Sequence, residues 1–258
     1  MEEQGKYQGS TVAGLYSKLE TYRSPFLQRA RDCSELTIPT LIPWYTATDP
    51  NTHGTYRFPT PYQGVGARGV NNIASKLLLS LLPANQSFFR LSVDNKVLND
   101  LGAAKGDAEE ALVEIESRCL KEVNSSQIRV KVFEALKHLI VGGNTLMYFP
   151  KGEKTLKVYP MSRYVVDRDA VGNVLHIITR ESLSPDTLPD NVLSELELPD
   201  GSNDITCYTH VKWDVESKNW KVEQEIEGQI IDSTKATYAK DKNPFLALRL
   251  IVVDGEPY

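Results

Sequence analysis

The chain has 258 residues, which is enough for one large domain or two small ones. Its 29 lysines and arginines against 34 aspartates and glutamates give a net charge of −5. This excludes a protein whose whole surface binds nucleic acid, because phosphate neutralisation needs clustered cations. The 41% hydrophobic residues are enough to bury a sizeable core, and 16 glycines and 14 prolines exclude collagen and low-complexity sequence.

Cysteine usage and the first residues bear on the compartment. Cys33, Cys119 and Cys207 are isolated and have no CxxC spacing, so we expect neither a disulfide framework nor a zinc site, and we infer a reducing compartment. Residues 1–4 lack the basic and apolar pattern of a signal peptide. No apolar run approaches the roughly 20 residues of a membrane span, so we expect no membrane association.

The first half of the chain has helical periodicity. Apolar spacing predicts a helix over about 12–22, and Ser24–Pro25, a cap followed by a first-turn proline, predicts that a second helix then begins. Residues 39–61 hold five prolines among aromatic residues, which indicates an irregular arm. Trp44 and Tyr45 on this arm are candidates for contact with a neighbouring protein.

Three further helices are predicted before residue 145. Thr60–Pro61 is a plausible start for one long buried helix over about 61–82. Apolar residues at helical spacing predict two more, over about 107–123 and 126–142. Gly142–Gly143–Asn144 is a strong stop signal for the last of them.

The second half has the pattern of strands. The predicted strands are 145–149, 155–159, 164–166, 174–179, 205–213, 220–226 and 246–253. A short helix is predicted within 189–197. Helices followed by antiparallel strands indicate an α+β fold.

The glycines of Gly64–Gly69 match the dinucleotide fingerprint G-x-G-x-x-G. That site requires a strand immediately before the first glycine, and Pro59 and Pro61 are incompatible with a central strand. We therefore favour glycines inside a helix, at a cost of about 3 kcal/mol relative to alanine. Such a cost indicates close approach by the backbone of a neighbouring element, within the chain or between subunits.

Other motifs do not nominate a catalytic, cofactor or metal site. Asp167–Gly172 begins like a calcium loop but lacks its later ligands, which favours a hairpin turn. The four histidines, His53, His138, His176 and His210, are far apart and lack HExxH spacing. Two cationic groups are candidates for subunit or phosphate contacts, although surface charge is the simpler interpretation. They are Arg23, Arg29 and Arg31 on the early helices, and Arg68 and Lys76 with Asn71 and Asn72 on the glycine helix.

Several blocks together resemble one known family. They are Pro61–Leu77, Phe133–Lys137 with Gly143–Asn144, Tyr164–Val166, Arg168–Ala170, Gly172–Leu175, Thr179–Arg180, Tyr208–His210 and Asp254–Glu256. In this order they resemble the portal, or head-to-tail connector, proteins of T7-like short-tailed phages. Each block is short, but together they span nearly the whole chain.

The resemblance implies a non-enzymatic structural subunit of the virion. Family portals form dodecameric rings at one capsid vertex, through which double-stranded DNA is packaged and later ejected. The implied partners are further copies of the chain, the major capsid protein, the scaffolding protein, the terminase large subunit, the tail adaptor protein and internal core proteins. Assembly in the host cytoplasm follows, and no cofactor is implied because ATP hydrolysis belongs to the terminase.

Family portals are about twice as long as this chain, so the resemblance places it in the N-terminal part of the wing, with stem, clip and crown absent. We expect N-terminal helices and a proline-rich arm (1–60), a helical wing core (61–144) and an antiparallel β-rich part (145–258). Candidate subunit-interface residues are Gly66, Arg68, Gly69, Asn71, Asn72, Trp44 and Tyr45. The alternatives are a head-tail adaptor protein and a dinucleotide-binding enzyme that uses Gly64–Gly69.

Overall fold

The computed structural model describes residues 11–43, 59–83, 86–93, 105–152, 155–196, 204–253 and 256–258. Four helices come first: α1 (Val12–Leu36), α2 (Val65–Leu81), α3 (Lys105–Ser125) and α4 (Ile128–Gly142). Four strands follow: β1 (Asn144–Tyr148), β2 (Lys157–Tyr159), β3 (Tyr164–Arg168) and β4 (Val174–Leu183). After the short helix α5 (Asp190–Leu193) come β5 (Ile205–Asp214), β6 (Asn219–Ile226), β7 (Gln229–Ala239) and β8 (Phe245–Arg249).

The strands of the described residues form two antiparallel sheets. One has three strands in the order β2-β1-β8, and the other has five in the order β3-β4-β5-β6-β7. The first half of α1 packs against the five-stranded sheet, where Leu15 and Leu19 join Val165 and Ile178 in one buried cluster. The predicted α+β class, with helices before antiparallel strands, is confirmed.

Helix α1 corrects the predicted break at Ser24–Pro25. The helix is continuous, and Pro25 lies inside it, although an internal proline removes a hydrogen bond and costs about 3 kcal/mol or more. Its buried residues form one stripe that crosses the proline: Val12, Leu15, Tyr16, Leu19, Arg23, Leu27, Ala30 and Ser34. Each large apolar side chain in this stripe contributes about 1.5–3 kcal/mol on burial, so packing outweighs the proline.

The first turn of α1 is capped from the opposite end of the chain. Glu225 on β6 accepts hydrogen bonds from the backbone N–H of Val12 (2.6 Å) and of Ala13 (3.1 Å). Only 1% of Glu225 is exposed. A carboxylate at a helix N-terminus satisfies amides that have no partner within the helix and is stabilised by the helix dipole. Glu225 therefore joins α1 to the sheet.

Helix α4 lies between α2 and the three-stranded sheet. Ala135 packs with Met147 of β1 on one side, and Leu136 and Leu139 pack with Ala74 of α2 on the other. The helix ends as predicted, because Gly143 adopts a left-handed conformation with φ of +75°.

Two strand predictions need correction. Strand β7 was not predicted, and β8 ends at Arg249 instead of reaching residue 253. Strand β7 is an edge strand with only Ile231 buried, so its hydrophobic pattern is weak. The predicted hairpin turn after Asp167 is confirmed, since the Asp169 carboxylate accepts the backbone N–H of Val171 at 3.0 Å and of Asn173 at 2.7 Å.

Candidate subunit interface

Helix α2 has one packed side and lies otherwise at the surface. Ala74 and Val70 are its buried residues, and Ala74 contacts the α4 cluster. The prediction of a helix over 61–82 is confirmed from Val65 onward. Its predicted start at Thr60–Pro61 is wrong, because Gly64 is the N-cap residue. The prediction that the helix is buried is also wrong for a single copy of the chain.

The remaining circumference of α2 combines apolar and cationic side chains. At 3.6 residues per turn, the exposed residues away from Ala74 form one surface, which we call the outward face. It consists of Val65, Arg68, Gly69, Asn72, Ile73, Lys76, Leu79 and Ser80. Ile73 is 50% exposed and Leu79 is 61% exposed. Exposed apolar residues that share one surface can mark a contact with another protein.

The structure separates the two candidate glycines of α2. A Cβ on Gly66 would lie 2.6 Å from the carbonyl oxygen of Leu36 and 3.1 Å from Cγ2 of Thr37. The predicted close backbone approach therefore exists at Gly66, and it is a contact with the end of α1. A Cβ on Gly69 would meet no described atom within 4 Å. Gly69 is therefore open to a neighbouring molecule.

The other candidate residues have different outcomes. Arg68, Asn71 and Asn72 are exposed on α2, and the Asn71 carbonyl accepts the hydroxyl of Ser75. Trp44 and Tyr45 lie outside the described residues. Their predicted contact with a neighbouring protein therefore stays a prediction.

The three arginines of α1 that were candidates for contacts lie in different surroundings. Arg23 and Arg31 line a cleft with a cavity volume of about 250 Å³, but Arg29 does not. Arg163, from the turn before β3, and Arg180, from β4, complete a group that we call the arginine cleft. The other lining residues are Glu20, Ser24, Leu27 and Ser162. Sequence reasoning missed Arg163 and Arg180, because only the tertiary fold brings them to α1.

Arg23 is a buried cation with most of its donors used. It is 1% exposed, and Nη1 donates to the carbonyls of Met161 (3.0 Å) and Tyr164 (2.7 Å) and to the hydroxyl of Tyr16 (3.1 Å). Nη2 donates to Glu20 at 2.6 Å. The buried Nε of Arg23 and that of Arg180 have no acceptor among the described residues.

The surroundings of the cleft also shift the pKa of Arg31, another of its lining residues. Burial lowers the pKa of Arg31, and the positive charge of Arg23 lowers it further, while Glu20 opposes both effects. At Arg31 the effect of the Arg23 charge on the pKa therefore outweighs that of the Glu20 charge.

Two histidines that are far apart in sequence meet on the five-stranded sheet. His176 Nδ1 lies 3.0 Å from His210 Nε2, and His210 Nδ1 lies 3.2 Å from a Glu223 carboxylate oxygen. Burial, together with the neighbouring His210, lowers the pKa of His176 to about 4. The hydrogen bond from His210 lowers the pKa of Glu223 to about 2. Across the residues with described positions, no group of three or more His, Cys, Asp or Glu side chains could hold a metal ion.

The glycine fingerprint lacks the context of a dinucleotide site. Residues 59–64 are not a strand, and Val65–Gly69 are the first residues of α2. Among the helices in the described part of the chain, none is long and apolar enough to cross a membrane.

The chain belongs to the bacteriophage head-to-tail connecting protein family, whose sequence profile matches residues 9–258. This result confirms the resemblance to portal proteins of T7-like phages. The portal protein of Escherichia phage T7 is 37% identical over 257 residues, and that of Enterobacteria phage T3 is 38% identical over 255. The portal protein of Enterobacteria phage SP6 is 30% identical over 250 residues.

These relatives are longer than the chain. The matches cover 95%, 94% and 93% of this chain but only 46%, 46% and 47% of the T7, T3 and SP6 proteins. The chain therefore spans about half the length of the portal proteins that it matches.

Proposed function

We propose that the chain is a structural, non-enzymatic part of the portal ring at the capsid vertex of a short-tailed phage. Double-stranded DNA would enter and leave the head through this ring. The observation that carries the proposal is the family match over residues 9–258, supported by relatives that are named portal proteins. The virion would be its location after assembly in the host cytoplasm.

The proposed partners follow from that role. The chain would contact further copies of itself in a dodecamer, as well as the major capsid protein and the scaffolding protein. The terminase large subunit, the tail adaptor protein and internal core proteins would bind the complete ring. The wing assignment and its division into residues 1–60, 61–144 and 145–258 belong to the same proposal.

We assign one subunit contact to the outward face of α2, with a second copy of the chain as its occupant. A ring is built from heterologous contacts, in which one patch of a subunit meets a different patch of the next. The outward face combines exposed Ile73 and Leu79 with an open glycine, Gly69. Removal of Gly69 as a point of close approach should therefore weaken the ring without disturbing the chain itself.

Native mass spectrometry of the chain tests the proposal by counting copies. We expect ring-sized assemblies for the wild type, loss of these assemblies for Gly69→Leu, and retention for Gly106→Leu. Gly106 is a matched control because it lies on α3 and its added Cβ would also meet nothing within 4 Å. Rings that persist in Gly69→Leu would refute the interface, whereas a wild type that never forms rings would count against the proposed function.

A head-tail adaptor is the second candidate function, because the matched family is described as connecting head to tail. Antibody labelling of assembly intermediates separates the two functions. Labelling of empty capsid precursors at one vertex supports a portal, whereas labelling only after DNA has filled the head supports an adaptor.

A further inference from the structure

The arginine cleft concentrates positive charge around one small cavity. Four arginines line it, together with one acidic residue, Glu20, so the formal charge of the lining residues is 4 − 1 = +3. Like charges gathered at a partly buried site repel each other, and a further anion reduces this repulsion. The cleft is therefore electrostatically complementary to a negatively charged group.

The hydrogen-bond donors of the cleft indicate which kind of anion it binds. Nη2 of Arg23 already binds one oxygen of Glu20, while the buried Nε of the same residue has no acceptor among the described residues. The buried Nε of Arg180 also has no acceptor among the described residues. Guanidinium groups bind planar carboxylates through parallel N–H···O bonds. Ser24 and Ser162 add two hydroxyl groups to the lining.

We infer that the arginine cleft binds a carboxylate, which in the ring is an exposed acidic side chain of a second copy of this chain. The identity of the donor rests on the proposed ring function, whereas the carboxylate site itself does not. The chain carries 34 acidic residues, and helix α3 exposes several of them, including Asp107 and Glu110. A cationic cleft on one copy and acidic side chains on the next form the kind of unlike pair that a ring contact needs.

Nucleic acid is the less favourable ligand for this cleft. Double-stranded DNA presents one negative charge about every 1.7 Å along its axis, so proteins that bind it need extended stripes of cations. Here four arginines surround one cavity of about 250 Å³ in a chain whose net charge is −5. This arrangement suits one carboxylate on a flexible side chain better than a series of phosphates on a rigid duplex.

The first experiment measures carboxylate binding with glutarate as the probe. Thermal unfolding is followed in glutarate and in chloride at equal ionic strength for the wild type, the double variant Arg163→Gln/Arg180→Gln, and Arg29→Gln. Arg29 is the matched control because it is exposed on α1 and does not line the cleft. We expect glutarate to raise Tm for the wild type and for Arg29→Gln, and the apparent affinity of the double variant to fall at least tenfold.

Two outcomes of this experiment would overturn the carboxylate site. The first is an equal glutarate response in all three proteins, including no response at all. The second is a larger stabilisation by inorganic phosphate than by glutarate that depends on the same two arginines. The chloride series measures the stability of each variant without the probe, so loss of the glutarate response is separable from loss of folding. Arg23, the buried member of the cleft, is unchanged in every variant.

The second experiment identifies the donor by mass photometry over a concentration series. We expect self-association to weaken at least tenfold in the double variant and to be unchanged in Arg29→Gln. Unchanged association with a lost glutarate response would overturn the second copy as donor. Fluorescence anisotropy with a labelled DNA duplex completes the test, because duplex binding that depends on Arg163 and Arg180 would overturn the proposal in favour of a phosphate site. A wild type that does not associate would refute the donor and the ring function, while the glutarate series still tests the cleft.

Discussion

The two glycines of α2 provide a matched test of the packing between α1 and α2. In Gly66→Ala the new methyl would lie 2.6 Å from the Leu36 carbonyl oxygen, so one of the two backbones must move. Overpacking of this kind costs about 1–3 kcal/mol. Alanine returns at most about 1 kcal/mol of helix propensity, and less near a helix end, where Gly66 is the second residue. We expect a net loss of roughly 1–2 kcal/mol.

Gly69→Ala should have the opposite sign. Its added methyl meets no described atom within 4 Å, and the residue is exposed inside α2, so only helix propensity changes. We expect a gain of about 0.5–1 kcal/mol. The two variants should therefore differ by roughly 2–3 kcal/mol although they differ only in where one methyl group is added.

Urea unfolding followed by circular dichroism at low protein concentration measures both changes. With an m-value of about 1–3 kcal/mol/M, the midpoints of the two variants should differ by roughly 0.7–3 M. Gly66→Ala that is as stable as Gly69→Ala, or more stable, would refute the close approach of α2 to the end of α1. A clear midpoint shift in opposite directions from the wild type would support it.

Three further predictions address buried polar groups. Glu225→Gln, which removes the charge that accepts the first two amides of α1, should cost about 1–3 kcal/mol in urea unfolding, whereas the exposed-site variant Glu216→Gln should be neutral. Tyr258→Phe leaves the buried Val166 N–H without its 2.9 Å acceptor and should lower stability by about 1–3 kcal/mol in the same assay; an unchanged midpoint would contradict that bond. Burial lowers the pKa of the 4% exposed His138 to about 4. The neutral histidine therefore contributes fully to the free energy of unfolding above pH 6.5, and this contribution is lost as the pH falls from 6.5 to 4. Between pH 7 and pH 5 this amounts to about 2 kcal/mol, and His138→Gln should flatten the pH dependence of Tm in that range.

The sequence predicted best those elements whose signals are local. The end of α4 was predictable because a glycine pair after an apolar helical stripe indicates a residue with left-handed φ, and Gly143 is that residue. Strands β5 and β6 alternate apolar and polar residues, and both were predicted. Strand β7 was missed because its only buried side chain is Ile231, although Glu227 and Gly228, both with positive φ, form the two-residue hairpin loop before it.

Other features depend on contacts that no local pattern contains. The stripe of α1 outweighs Pro25 only because a sheet built from the second half of the chain covers it. The arginine cleft and the His176–His210 pair likewise need tertiary structure, since strand pairing sets His176 opposite Lys212 and His210 opposite Ile178, as diagonal neighbours. Gly66 and Gly69 look equivalent in sequence, and only the position of Leu36 distinguishes them.

The cap that Glu225 provides for α1 has a consequence for biosynthesis. The carboxylate and the amide of Val12 are separated by 213 residues, and a ribosome adds about 5–20 residues per second. Helix α1 therefore waits roughly 10–40 seconds for the residue that completes the capping of its first turn. Its apolar stripe stays uncovered until Val165 and Ile178, which pack against Leu15 and Leu19, have been translated, so we expect chaperone dependence to be greatest before these strands emerge.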